Sequence, residues 1–479
     1  MKRRRSRRLV LAVAVTAVLA GFVVGAVQWR LAQRREVIAA ALPPVPEFDA
    51  PASPVRTAVL AAHRRATSRD ALAGLRELAR VYHANGFYER VPACYEALEA
   101  LDADEPRWPY YYALILAGYG DLEPAMQRWR RVISLAPDYL PARLRLADAA
   151  LKSNALEEAR AAYREILDRW PDEPYALLGL ARMDFEAQRW PEARERLEQV
   201  VAATDYRLGY DLIVSAYERL GMVSEAQAIR GQMKASGAFR EAPDPWADEL
   251  LEVCFDPYRL ALAAGATADP VTAKALLLRA IRLAPDDVSY RLQLVSLHTE
   301  ERDATAALRE LRELTRRAPD FADGWARLAS LQQQLGDQAG AVQTLSAGLA
   351  HAPDSPGLRL MWGSMLRKAG RHEEAMRELQ ASIRLRPNEA AAYLELAQVY
   401  VELRDVEAGV AELRRSLEAE PDNPGALTFL AFHAISTGDQ READHWMELV
   451  ARQPRVGAQP AQHLERVYRE AFGRAWRRE

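Results

Sequence analysis

Cysteine is nearly missing from this 479-residue chain. Only Cys94 and Cys254 occur, and no Cys-x-x-Cys spacing exists, which excludes the usual redox, haem-attachment and thiolate-metal motifs. The two lie in distant parts of the chain, which argues against a disulfide. Lysine is almost as scarce: Lys2, Lys152, Lys234, Lys274 and Lys368 stand against a large majority of arginine. The net charge is −3, so no global basic field draws the chain to nucleic acid. No G-x-x-x-x-G-K-[ST] loop, G-x-S-x-G elbow or H-E-x-x-H pair appears. The histidines, such as His83, His298, His433 and His445, are scattered without ligand spacing. His372-Glu373-Glu374 is the nearest thing to a metal motif, and its place at a turn reads as solvated. The expectation is a chain with no catalytic residues, no cofactor and no metal. What is present is ordinary for a folded body, at 49% apolar and 27% charged.

One long apolar run stands out. Lys2, Arg3, Arg4, Arg5, Arg7 and Arg8 form a basic tail over residues 1–8. Residues 9–27 then carry no charge, about the 20 residues that span a bilayer as a helix. Arg30, Arg34 and Arg35 come next, partly offset by Glu36. The asymmetry predicts a single-pass inner-membrane anchor over 9–27, the N-terminus cytoplasmic and the remainder periplasmic or otherwise extracytoplasmic. The lipid bilayer would then be a partner of that segment. A cleaved signal peptide competes with this reading, with Val24-Gly25-Ala26 as a passable site. So do a twin-arginine signal around Ser6-Arg7-Arg8-Leu9-Val10-Leu11 and an inverted body facing the cytoplasm. From Ala41 to Pro54 prolines make a semi-rigid spacer. Val55–Ala66 reads as a short helix capping the first repeat, so that residues 28–70 form spacer plus cap.

Proline then recurs every 34 residues: Pro285, Pro319, Pro353, Pro387 and Pro421 share one register, Pro137 and Pro171 another. Between prolines a Leu–Ala pair, a turn, a small residue and a large apolar residue four later repeat. The clearest copy is Trp325-Ala326-Arg327-Leu328-Ala329, a Gly336-Asp337 turn, then Ala341, Leu345 and Pro353. In the N-terminal half, Leu146-Ala147, Ala159, Tyr163 and Pro171 match it. Such a period is the mark of stacked helical hairpins. Small residues would sit where the two helices of a hairpin cross, large ones between hairpins, and glycine at the turn where φ is positive.

These residues resemble the tetratricopeptide repeat family, whose pattern is W-x2-L-G-x2-Y, then A-x3-F, then P. The resemblance covers about Ala71 to Gly457. It implies an all-α fold, a right-handed α-solenoid of about eleven hairpins, here preceded by the N-terminal transmembrane helix. The expected layout is an N-terminal block of five repeats over 71–240, an insert over 241–253, a C-terminal block of six repeats over 254–457, and a capping helix over 458–479. The insert is inferred from register: Pro171 to Pro285 spans 114 residues, three periods plus twelve. It reads either as a longer loop or as a protruding partner contact, with Trp246 as its candidate contact residue.

Stacking of the repeats would place Tyr110, Tyr111, Arg145, Tyr175, Arg182 and Phe185 on the inner surface of the N-terminal half, with Arg327 and Arg367 further along. Aromatic and arginine side chains are typical of binding hot spots. The alternative is that these are merely the less constrained faces of their helices. The Lys/Asn set with which some family members clamp a peptide C-terminus is missing. The resemblance implies a protein-interaction scaffold, not an enzyme, whose partners are proteins and not nucleic acid. Anchor and repeats together resemble bacterial envelope assembly helpers. The expected function is therefore a membrane-tethered adaptor in envelope complex assembly. The alternative is a non-catalytic regulatory subunit of an envelope enzyme complex, in polysaccharide, lipopolysaccharide or cytochrome maturation.

Overall fold

The computed structural model describes residues 28–48, 53–204, 206–232, 242–267, 269–453 and 456–476. They form two compact units, Met1–Ala284 and Pro285–Glu479. The first contains α1 (28–41), α2 (Pro54–Ala66), α3 (Ala71–Ala84), α4 (Pro92–Leu101), α5 (Arg107–Tyr119), α6 (Leu122–Leu135), α7 (Leu140–Lys152) and α8 (Leu156–Arg169). It continues with α9 (Pro174–Glu186), α10 (Trp190–Ala203), α11 (Arg207–Arg219), α12 (Val223–Gln232), α13 (Pro245–Leu251), α14 (Pro257–Ala266) and α15 (Pro270–Leu283). The second runs from α16 (Val288–Glu300) and α17 (Ala304–Arg317) through α18 (Ala322–Gln334), α19 (Gln338–His351), α20 (Pro356–Lys368) and α21 (His372–Leu385). It ends with α22 (Ala390–Glu402), α23 (Val406–Ala419), α24 (Pro424–Thr437), α25 (Gln440–Arg452) and α26 (Ala458–Phe472). The all-α repeat architecture read from the sequence is present in both units.

Each hairpin is built the same way. In the second helix the buried residues recur at i, i+4 and i+7: Ala159, Tyr163 and Ile166 in α8; Ala341, Leu345 and Gly348 in α19; Ala443, Met447 and Val450 in α25. That spacing keeps one stripe on one face of a 3.6-residue helix. The first of the three is small because the partner helix crosses there. From the partner side the same closeness is explicit. A Cβ on Gly363 of α20 would lie 2.6 Å from Leu379 of its partner α21, and between hairpins one on Gly179 of α9 would lie 2.2 Å from the Tyr163 ring of α8. The larger residues of the stripe fill the space between hairpins, each contributing about 1.5–3 kcal/mol by burial.

The turns are set by backbone chemistry. At the end of α18, Gly336 adopts φ +81°, which lets the Asp337 amide donate to the Gln332 carbonyl at 2.8 Å and close the helix. Asp337 then caps α19, its carboxylate accepting from the Gly340 amide at 2.8 Å. Asp303, Asp405 and Asp439 cap α17, α23 and α25 in the same way. In four hairpins the left-handed residue is not glycine but Asn154, Gln188, Arg302 or Arg404, with φ between 59° and 65°.

Each unit covers one exposed repeat end. In the first, α2 packs on α3, with Val59 and Ala62 fully buried. Residues 28–48 lie on α3 and α4: Ile38 and Ala41 are buried, Arg90 donates to the Pro44 carbonyl at 2.7 Å, and Phe48 meets Phe87 edge-on. In the second, α26 buries Leu464 and Tyr468 against Met447 and Val450. Cys94 and Cys254 are both free and buried.

The transmembrane helix is the part of the expected fold that does not hold. No helix among the described residues is long and apolar enough to cross a membrane. The expected span, residues 9–27, lies outside the described residues. The first described helix, α1, carries Arg30, Arg34, Arg35 and Glu36 and turns Ile38 and Ala41 into the protein, while Trp29, Leu31 and Val37 stay exposed.

The strained turns give a prediction. Gln188 is exposed and left-handed at φ 59°, a conformation that costs an ordinary residue about 1–2 kcal/mol and glycine little. Glycine loses more chain entropy, about 0.5–1 kcal/mol, so Gln188→Gly should stabilise the first unit by roughly 0.5–1 kcal/mol in urea unfolding. An unchanged or lower midpoint contradicts the turn geometry.

Candidate functional site

The first helices of successive hairpins, α5, α7, α9 and α11, turn one face to the inside of the first unit. Three of the candidate residues come together there. Arg145, Tyr175 and Arg182 line a cavity of about 370 Å³, together with Asp148, Lys152 and Tyr206. Their register explains it: Arg145, Asp148 and Lys152 succeed one another at i, i+3 and i+7 on α7, as Tyr175 and Arg182 do at i and i+7 on α9.

The charges of this cavity are unequally satisfied. Asp148 accepts a short hydrogen bond from the Tyr163 hydroxyl. Burial pushes its carboxyl above the usual range, opposed by that bond and by Arg182, Arg145 and Lys152. Asp244, at the rim, accepts from the Tyr110 hydroxyl and, at 2.7 Å, from Tyr139, and lies 3.7 Å from Arg145. Elsewhere in this unit half-buried arginines have carboxylate partners: Arg128 with Glu99 at 3.0 Å, Arg143 with Glu165 at 2.6 Å, Arg160 with Asp184 at 3.5 Å. Arg182 and Lys152 have no hydrogen bond or ion pair among the described residues. Both carboxylates are thus engaged by tyrosines, while two cations face open space. Tyr175 adds an aromatic wall, edge-on to Tyr206 at 5.8 Å.

Tyr110 and Tyr111 sit differently. Both are fully buried, beneath residues 244–253 of the same chain. Burial and the carboxylate of Asp244 push the Tyr110 phenol far up, and burial with Glu249 does the same to Tyr111. Trp246 lies on this surface, stacked on Tyr139 with ring centroids 3.5 Å apart and planes at 11°. Phe185 points away from the cavity and packs edge-on against Trp190 at 4.8 Å, beside the core of α9–α11. In the second unit Arg327 pairs with Asp323 at 2.6 Å, an exposed pair within one helix. Arg367 pairs with Glu395 at 3.0 Å and Glu402 at 2.5 Å, only 13% exposed. Both guanidinium groups are therefore engaged within their own unit.

Sequence reasoning missed Tyr139, Arg107, Arg80 and Asn85, which hold residues 244–255 in place. Tyr139 comes just after the repeat-ending Pro137-Asp138, where its residue type reads only as helix entry. The signal that existed was on the other side: Asp244-Pro245-Trp246 in a stretch that breaks the period. No three His, Cys, Asp or Glu side chains converge as a metal set among the described residues. The cavity offers cations, aromatic faces and hydrogen-bond acceptors, which is chemistry for recognition.

The tetratricopeptide repeat family model matches residues 116–169, 155–206 and 366–431, and a second model of that repeat matches 292–356. No curated protein matches the chain. Among solved structures the chain is similar to pilF of Pseudomonas aeruginosa at 20% identity, over 38% of this chain and 83% of that one, with a TM-score of 0.35. It is also similar to PilW, a widely conserved type IV pilus biogenesis factor, at 21% identity over 40% and 87%, TM-score 0.35. Yeast Tom70 is 13% identical over 84% and 95%, TM-score 0.36. These low values carry no argument about function. The hairpin geometry and the matched segments agree: the chain carries tetratricopeptide repeats in both of its units.

Proposed function

We propose that the protein is a scaffold that docks a partner protein on the inner face of its first unit, in the assembly of an envelope complex. Repeats of this family bind proteins and are generally not catalytic. The observation that supports this surface in particular is the pair Arg182 and Lys152, unpaired beside Tyr175 in an open cavity. Arg182 feels the Asp148 carboxylate across the cavity but makes no hydrogen bond to it, so a partner's acceptors would supply bonds that the described residues leave unmade. The aromatic rings alongside supply area at small entropic cost.

Replacing Lys152, Tyr175 and Arg182 together with alanine should weaken partner capture by about 30-fold, the equivalent of about 2 kcal/mol at a binding hot spot. Circular dichroism should stay near wild type, with loss of the Tyr175–Tyr206 edge contact lowering the melt only slightly. A folded triple variant that captures every partner as well as wild type places the docking surface elsewhere.

The envelope setting rests on the basic stretch of residues 1–8 and the charge-free run after it. A phosphatase reporter that works only outside the cytoplasm, fused after Glu479, should be active. An inactive reporter with a bright cytoplasmic fluorescent fusion contradicts an extracytoplasmic body.

A further inference from the structure

The inner face of the first unit already holds a peptide, and it is the chain's own. Residues 244–253 lie across α3, α5 and the start of α7, more than 100 residues away in sequence. The contacts read like recognition of a linear segment. Asp244 accepts from Tyr110 and Tyr139. The Trp246 ring stacks on Tyr139, meets the edge of Tyr110 at 5.4 Å and lies 5.3 Å beneath the Arg107 guanidinium. Its amide donates to the Tyr139 hydroxyl at 3.0 Å. Glu249 accepts from Arg107 through both carboxylate oxygens, at 3.1 to 3.3 Å, and from Tyr111 at 3.3 Å. Arg80 donates to the Glu249 carbonyl at 2.9 Å and pairs with Glu252 at 3.3 Å. Asn85 donates to the Val253 carbonyl at 2.9 Å and accepts from the Phe255 amide at 2.6 Å.

Three features mark this as an exchangeable contact instead of a piece of core. The segment's grip is polar and aromatic: of residues 244–253 only Asp244 and Leu250 are buried. Its helix, α13, has seven residues, too few to persist without the surface beneath it. And the open cavity is continuous with it, since Asp244 also forms part of the cavity wall next to Arg145. A chain entering beside Arg182 reaches Asp244 without crossing a hairpin.

We infer that residues 244–253 act as an internal ligand, and that the inner face recognises partner segments of the same chemistry, an acidic stretch with an aromatic ring two residues after its first carboxylate, which exchange with it. The inference rests on the proposed docking function and adds the class of partner segment and a built-in competitor. The competitor sets a threshold: tethered in the same chain it has a high local concentration, so a partner must out-compete it or engage the cavity first.

The probe is a fluorescein-labelled peptide copying residues 242–253, Ala-Pro-Asp-Pro-Trp-Ala-Asp-Glu-Leu-Leu-Glu-Val, with a control in which Asp and Glu become Asn and Gln and Trp becomes Ala. Fluorescence anisotropy is measured on the full chain. Trp246→Ala and Asp244→Ala should each bind the probe at least about 10-fold tighter than wild type, the control should not bind, and adding Tyr139→Ala should abolish the gain. A folded variant that binds the probe no tighter than wild type, or binds the control equally, overturns the inference. If that happens while the Lys152/Tyr175/Arg182 variant still loses its partner, docking stands and only the internal-ligand account falls. Should the variants not fold, hydrogen exchange on the wild-type chain decides. Amides 246–253 should exchange at least about 10-fold faster than those in the middle of α7 and α9. Equal protection would make the segment a fixed part of the core and overturn the inference.

Discussion

Every hairpin of this chain leaves one apolar stripe that its own two helices cannot cover. The residue that lets the helices cross closely, Ala159 or Ala341, is small, so the larger neighbours Tyr163 and Leu345 project outward and need the next hairpin over them. Stability is therefore passed from neighbour to neighbour, and ends must be closed. The first unit closes one with α1 and α2, the second with α26. That constraint places no demand on the inner faces of the first helices, which are free to carry charge and aromatic rings.

The first unit uses this freedom in two ways along one surface. Toward its start, tyrosines and arginines are satisfied by residues 244–255 of the same chain. Further along, around Arg182 and Lys152, the cations face a cavity. The division is chemical as well as spatial: Asp244 and Glu249 bring carboxylates to the first part, while in the cavity the Asp148 carboxylate is already bonded by Tyr163.

Most of the fold was legible from residues alone, because the repeat is written in short range. Proline spacing, the small residue at the helix crossing and glycine at φ > 0 are each read from one hairpin at a time. Even where the left-handed turn position is not glycine the geometry is kept, with Asn154, Gln188, Arg302 and Arg404 accepting the strain. The apolar run at 9–27 was read as a spanning helix from hydropathy alone. The described helices contain none, and α1, next in sequence, buries only Ile38 and Ala41 in the first unit. What could not be read was pairing across long separations. Tyr110 and Tyr111 were recognisable as inner-face residues, but nothing periodic links them to Asp244 and Glu249 more than 130 positions later. Trp246 stood out as an oddity in a broken register; its landing place on Tyr139 had no local signature. Phe185, expected on the inner face, packs on Trp190 beside the core of α9–α11.

The claim on which the account turns is that partners dock on the inner face of the first unit. A photo-crosslinking amino acid placed at Tyr175, on that face, compared with one at the exposed outer residue Glu195 on α10, tests it directly in the living cell. The account predicts a discrete crosslinked partner from position 175 and none from position 195. Crosslinking from 195 alone would put the binding surface on the other side of the unit and contradict it.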